Sequence, residues 1–223
     1  MNNKIYQIYY HDSQIQGLDY TPLYNAECSV FFENSVIANQ LPDMETCDYY
    51  GVLSWKLREK IGQARKWKGL KIANTSDKPF SVQAVNECLV KHRPDVMSLQ
   101  RHAPHDPVTY ADRFHPNFST YYKAIMNAIG FNWKPTHFND VVYCNYFVAT
   151  PEIYADYVKT MLIPAMNVME SMPELMNNSG YPHQLPDALK QSFGIEHYPY
   201  HPFICERFFS YYIHLKRLKC VHF

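Results

Sequence analysis

Apolar and polar positions divide this chain into strand-like and helix-like runs that alternate along much of its length. Residues 4–10 (KIYQIYY) read as a first strand, breaking at His11-Asp12-Ser13. Residues 14–27 are mixed and loop-like, with Gly17 and Pro22, and an apolar pulse follows at 28–32. Val36, Ile37 and Leu41 have helical spacing within 33–41, a run stopped by Pro42. Residues 48–53 (DYYGVL) then form a short apolar strand that ends abruptly in Ser54-Trp55-Lys56.

The alternation continues beyond that strand. Residues 57–62 predict one or two helical turns closed by a glycine, and 69–73 (GLKIA) a further strand. Lys78-Pro79 opens a helix whose apolar face (Phe80, Val82, Val85, Cys88, Leu89) runs to His92 before Pro94, and 95–99 (DVMSL) is again strand-like. Residues 100–107 form a polar loop, and 118–128 a helix ending near Gly130. Residues 140–149 (DVVYCNYFVA) make the most strand-like run in the chain. Thr150 and Pro151 then supply an N-cap and first position for a helix reaching Met169. Residues 171–202 are loop-rich, with room for a helix only at 187–192, and 203–218 form an amphipathic helix with a basic last turn. The expected fold is α/β, with a central mixed, mostly parallel sheet, Rossmann-like in its first half. Such sheets bind ligands at the carboxyl ends of their strands, which makes Ser54, Trp55 and Lys56 candidates for a site.

Composition narrows the partners. With 223 residues, 47% hydrophobic and 16% aromatic, the chain can bury one sizeable core, and a single domain over 1–223 is expected. Lys+Arg and Asp+Glu both number 21, so no net field draws the protein to nucleic acid. The six cysteines are widely spaced and form no C-x-x-C pair, as expected of buried thiols in a reducing compartment. No leader-like or membrane-spanning stretch is evident, and a cytoplasmic location is expected.

Several familiar chemistries lack their motifs. Seven glycines supply no G-x-G-x-x-G, P-loop or G-x-S-x-G. His102-x-x-His105 and His197-x-x-x-His201 have spacings that could hold zinc, but Pro104 and Pro199 break any regular helix through them. They read as ordinary loop histidines.

Three segments carry a resemblance. Residues 31–37 (FFENSVI) followed by 48–56 (DYYGVLSWK) resemble the F-C-E-L-T-type helix and Y-I-G-L-C-H-Y-R-R-type strand of capsular-polysaccharide glycosyltransferase-like proteins of GT-A type. Residues 140–150 are similar to the strand that follows the nucleotide-sugar site in GT-A enzymes, and 203–210 (FICERFFS) to a late E-R-L-L-N segment. The resemblance implies a single GT-A-like domain of cell-surface polysaccharide synthesis. It would move a hexose from a nucleotide diphosphate sugar to a glycan or lipid-linked acceptor.

On that reading Lys56 and Arg58 stabilise the departing diphosphate, and Tyr10, His11 and Asp12 line the nucleotide beside Ser54 and Trp55. Asn145 and Glu206 face donor and acceptor. Plainer roles stand beside these: Lys56 and Arg58 as a basic helix rim, Glu206 in an ion pair with Arg207, and Asn145 satisfying the sheet backbone. GT-A enzymes usually hold Mn²⁺ or Mg²⁺ with a D-x-D, whereas Ser54-Trp55-Lys56 has no acidic residue; Asp43-Met44-Glu45 precedes the strand and reads as a solvated pair. Metal use is therefore open, as is the alternative of a non-catalytic glycan- or partner-binding module. The basic end 214–219 (HLKRLK) also leaves open peripheral contact with the inner face of a membrane.

Overall fold

The computed structural model describes residues 1–25, 29–40, 46–61, 66–67, 70–71, 80–100, 102 and 104–223. Its strands are β1 (Asn3–Tyr9), β2 (Thr21–Tyr24), β3 (Tyr49–Leu53), the small antiparallel pair β4 (Lys66–Trp67) and β5 (Leu70–Lys71), β6 (Val96–Ser98), β7 (Phe147–Ala149) and β8 (Cys220–His222). Six of them form one mixed sheet in the order β2-β1-β3-β7-β6-β8. β2, β1 and β3 are mutually parallel, β7 runs antiparallel to both β3 and β6, and β8 is parallel to β6. β7 is thus the one reversed strand of this sheet, and the α/β class and mixed sheet expected from the sequence are found.

The helices are α1 (Glu33–Asn39), α2 (Leu57–Ile61), α3 (Val82–His92), α4 (Pro107–Ala111), α5 (Phe118–Ala128), α6 (Pro151–Tyr157), α7 (Ile163–Glu170), α8 (Asp187–Phe193) and α9 (His201–Lys216). Both sheet faces are covered, and the twofold alternation of strand side chains sorts them. Ile8, Tyr50, Val52, Val96, Phe147 and Ala149 face one apolar cluster with residues of α1, α5, α6, α7 and α9. Ile5, Tyr49, Leu53, Met97 and Val148 face the other, with Leu57 and Ile61 of α2 and Val85 and Leu89 of α3. The near-continuous apolar run of β3 follows from this, since all five of its residues are buried.

Gly51 packs directly against β7, and a Cβ there would lie 2.6 Å from Val148 Cγ1 and 3.1 Å from the Phe147 carbonyl oxygen. Gly51→Ala is expected to cost about 1–3 kcal/mol of unfolding free energy, read by urea denaturation. An unchanged midpoint would contradict that packing.

Several sequence expectations are corrected. Residues 14–27 are not simply loop: the chain makes a 3₁₀ turn at Asp12–Gly17 and then β2, an edge strand that tolerates Pro22. Only the last three residues of 140–149 form a strand. Earlier in that segment the backbone of Val142 bonds to a side chain of α9, with its N–H donating to Ser210 Oγ and that hydroxyl donating back to its carbonyl, both at 2.9 Å. Cys144 and Asn145 then turn left-handed, with φ of 54° and 56°, which no strand permits.

Thr150 makes no side-chain cap, although Pro151 does open α6. The predicted long helix to Met169 contains a widened turn, Val158–Leu162, just ahead of Pro164. The widening accommodates a proline that has no N–H to donate and whose ring crowds the preceding turn. The sequence reading also missed α4 and β8. Of the strand expected at 69–73, Leu70 and Lys71 are found in β5; the rest lies outside the described residues, as do Pro42, Asp43, Glu45, Lys78 and Pro79.

Candidate functional site

The carboxyl ends of β1 and β3 lie side by side, with Gln7 opposite Leu53 in the parallel register. Gln7 is fully buried, and its amide holds the chain that leaves β3. Nε2 donates to the carbonyls of Ser54 (3.2 Å) and Trp55 (3.3 Å), and Oε1 accepts from the Asp19 N–H (2.8 Å). Gln7→Met keeps the volume but strands these three backbone groups, so a loss of about 2 kcal/mol is expected in chemical denaturation. No loss would mean that Ser54 and Trp55 are positioned by something else.

Glu33 at the first turn of α1 is the centre of this edge. Part of the residue is exposed, but its carboxyl is enclosed, and burial pushes it up to about 7 against a hydrogen bond from Ser54 and the attraction of Lys56; Glu206 adds to the rise. Lys56 is exposed, with Nζ 5.0 Å from the centre of the Trp55 ring. Ser54 also hydrogen-bonds to Tyr146, whose hydroxyl burial holds far above its ordinary range. Ser54, Lys56 and Glu33 therefore share one site, although the sequence reading gave Glu33 no role. The available signal was an acidic residue beginning a helix directly after two phenylalanines.

The irregular turn before β7 closes the site from the other side. Asn145 is buried and donates to Asn34 Oδ1 at 3.1 Å, tying this turn to α1. Cys144 Sγ lies 3.9 Å from Glu206 Oε2, and Arg207 Nη1 donates to the same carboxylate oxygen at 2.9 Å and to the Phe203 carbonyl. Arg207 also lies over the rings of Tyr143 (4.9 Å) and Phe118 (5.4 Å). Of the non-glycine residues described with positive φ, Arg93, Asn117 and Arg217 are helix caps. Phe32 is also a helix cap, at the start of α1 next to Glu33, and Cys144 and Asn145 make the left-handed turn beside Glu206, the kind of place where backbone strain collects.

Aromatic residues wall the site. Tyr10 is perturbed chiefly by burial and also by Glu33 and Tyr198, and bonds to Asn25. Tyr198 stacks on Phe32 with ring centres 5.6 Å apart, and Tyr181 is 5.1 Å from Tyr198. Tyr181 also feels Glu206 and Cys144, so the loop-rich stretch 171–202 contributes side chains to this wall.

The remaining sequence candidates lie apart from it. His11 and Asp12 are exposed, and His11 Nδ1 accepts from the Ser13 N–H as a cap of the 3₁₀ turn. Arg58 is engaged by Asp19, with Nε at 2.8 and 2.9 Å from the two carboxylate oxygens. In the basic C-terminal end Lys216 pairs with Asp156 at 2.8 Å and Lys219 Nζ donates to the His92 carbonyl. No helix among the described residues is long and apolar enough to cross a membrane. His102 bonds to the Gln100 side chain, His105 to Tyr143 and His197 to the Met176 carbonyl; burial takes His102 down to about 3 and His201 to about 4.

Beside β3 the residues do not fit a divalent ion. The enclosed Glu33 faces a lysine, and Glu206 is taken by Arg207, so among the described residues there no pair of carboxylates is left to cradle a hard cation. Among the described residues one group of side chains lies within ligand reach, Asp140, Cys220 and His222, which the sequence reading passed over although Cys220-x-His222 has the spacing of one strand face. Comparison with protein-family models gives no match, and comparisons with curated proteins and with solved structures find no similar chain.

Proposed function

We propose that this chain is a GT-A-like glycosyltransferase domain that moves a hexose from a nucleotide diphosphate sugar to a glycan acceptor without a divalent ion at the diphosphate. The observation that carries the reading is the Glu33 carboxyl, poised near neutral pH beside Ser54 and Lys56 at the carboxyl edge of a mostly parallel sheet. A general base works best when its proton affinity lies near the working pH, and ligands of open α/β sheets bind at this edge.

Glu33 takes the proton of an acceptor hydroxyl as that oxygen forms a bond to the anomeric carbon. The bond from that carbon to the diphosphate breaks, and the negative charge developing on the leaving oxygen is met by the Lys56 ammonium. Tyr10 and Tyr198 offer ring faces for the base, and Asn145 a polar contact for the sugar. Glu206, proposed from the sequence as the acceptor-site base, instead holds Arg207, and Arg58 is left out of the reaction because Asp19 engages it.

Donor turnover tests the reading. Release of nucleotide diphosphate from a panel of nucleotide sugars is expected with the wild type and expected to fall at least about a hundredfold in Glu33→Gln. Among the described residues the site has no carboxylate pair for an ion, which favours a second reading, a glycan-binding module on the same fold. Binding of sugars with no donor turnover would select it.

A further inference from the structure

We propose that Asp140, Cys220 and His222 form a binding site for a zinc-type divalent ion, with three protein ligands and one open position. Cys220 and His222 are two residues apart on β8, so they project from the same side of the strand, and ladder pairing to Val96 and Ser98 of β6 fixes their backbones. Asp140 approaches from the segment that precedes β7. One donor atom from each of the three lies within 4.8 Å of the others.

The hydrogen bonds of His222 are what point to a cation. Its Nδ1 lies 3.1 Å from the Gln100 carbonyl oxygen, which also accepts from Ser98 Oγ and can only accept. Nδ1 therefore carries the proton. That leaves Nε2 of a neutral ring as a lone pair, directed at Asp140 Oδ1 2.8 Å away. Two electron-rich atoms in that position need either a second ring proton or a cation between them. A backbone carbonyl that accepts from one ring nitrogen while the other faces a carboxylate is the outer-shell arrangement of a ligating histidine.

The donor set selects the ion. A thiolate with an imidazole suits zinc, whereas magnesium, calcium and manganese prefer all-oxygen sites. Bonds of about 2.0–2.3 Å in a tetrahedral site place ligand atoms about 3.3–3.8 Å apart, so Asp140 and His222 need to part by about half an ångström. As the sulfur–metal bond forms, the Cys220 S–H proton leaves to solvent and the thiolate supplies the electron pair. The ion would clamp the C-terminal edge strand to the chain ahead of β7. This site is separate from Glu33 and does not depend on the transferase reading.

Cobalt(II) is the probe, titrated into the metal-free full chain. One equivalent is expected to bind with sulfur-to-cobalt charge-transfer absorption, and zinc is expected to displace it. Cys220→Ser is expected to lose that absorption, Asp140→Asn to weaken binding at least about tenfold, and Cys47→Ala to change neither. In the wild type, which involves no folding question, zinc is expected to slow alkylation of Cys220, read by peptide mass, at least about tenfold. Absence of the charge-transfer band, its survival in Cys220→Ser, or unchanged alkylation of Cys220 with zinc would overturn the site and leave His222 and Asp140 as a simple ion pair.

Discussion

Glu33→Gln is expected to stabilise the protein above neutral pH, by about 3 kcal/mol at pH 8, while leaving it little changed below pH 4.5. The sign follows from linkage. In the unfolded chain the carboxyl ionises near 4.5, whereas in the folded protein burial, only partly offset by Ser54 and Lys56, delays ionisation to about 7. Stability associated with Glu33 is therefore fully present below 4.5 and is lost as pH rises through 7. Glutamine keeps the shape and cannot ionise, so the variant lacks this loss. Buried histidines act in the opposite sense. Burial lowers His102 to about 3 and His115 and His201 to about 4, so their contribution is present above 6.5 and lost as pH falls toward those values. They are common to both proteins and cancel in the difference. Urea denaturation at pH 4, 6 and 8 reads the result, and parallel profiles for the two proteins would show that Glu33 is not held as described.

Glu206→Ala is expected to do the reverse and destabilise the protein by about 3–5 kcal/mol. Glu206 and Arg207 are largely enclosed, with side-chain exposures of 21% and 11%, and Arg207 Nε has no hydrogen-bond partner among the described residues. Removing the carboxylate leaves a guanidinium, which cannot shed its charge, facing Phe118 and Tyr143 with one fewer acceptor. Replacing both partners in Glu206→Ala/Arg207→Met removes that uncompensated charge and is expected to recover most of the loss. A double-mutant cycle by denaturation measures this, and a double variant no better than Glu206→Ala would place the stabilisation elsewhere. The two neighbouring carboxyls thus differ in surroundings, Glu33 held up to about 7 by burial and Glu206 paired with a permanent cation.

How far the sequence carried depended on whether backbone or side chains satisfied each segment. β3 was legible because all five of its residues are covered and its Tyr and Val side chains favour strands, and α3, α5 and α9 because their apolar faces repeat with helical spacing. Residues 140–146 misled for a physical reason. Their composition suits a strand, but Ser210 of α9 takes the hydrogen bonds of Val142, and a left-handed Cys144-Asn145 turn redirects the chain into the site. β8 lies behind a helix end and pairs with a strand more than a hundred residues earlier, so no local pattern announced it.

The candidate site divides along the same line. The structure brings Ser54, Lys56, Asn145 and Tyr10 together near Glu33; Ser54, Lys56 and Tyr10 follow the ends of legible strands, whereas Asn145 lies in the segment misread as strand. Glu33 was passed over because its character arises from burial between distant elements, and the pairing of Arg58 with Asp19, 39 residues away, had no local signal.

The most direct test of the account is calorimetric titration of the wild type and of Lys56→Ala with a panel of nucleotide diphosphate sugars, in the absence and presence of manganese. The account predicts that at least one donor binds without the metal, and that Lys56→Ala weakens that binding at least about tenfold, as loss of a charge-assisted phosphate contact requires. Binding of none of the donors, or equal affinity of the wild type and Lys56→Ala, would contradict it.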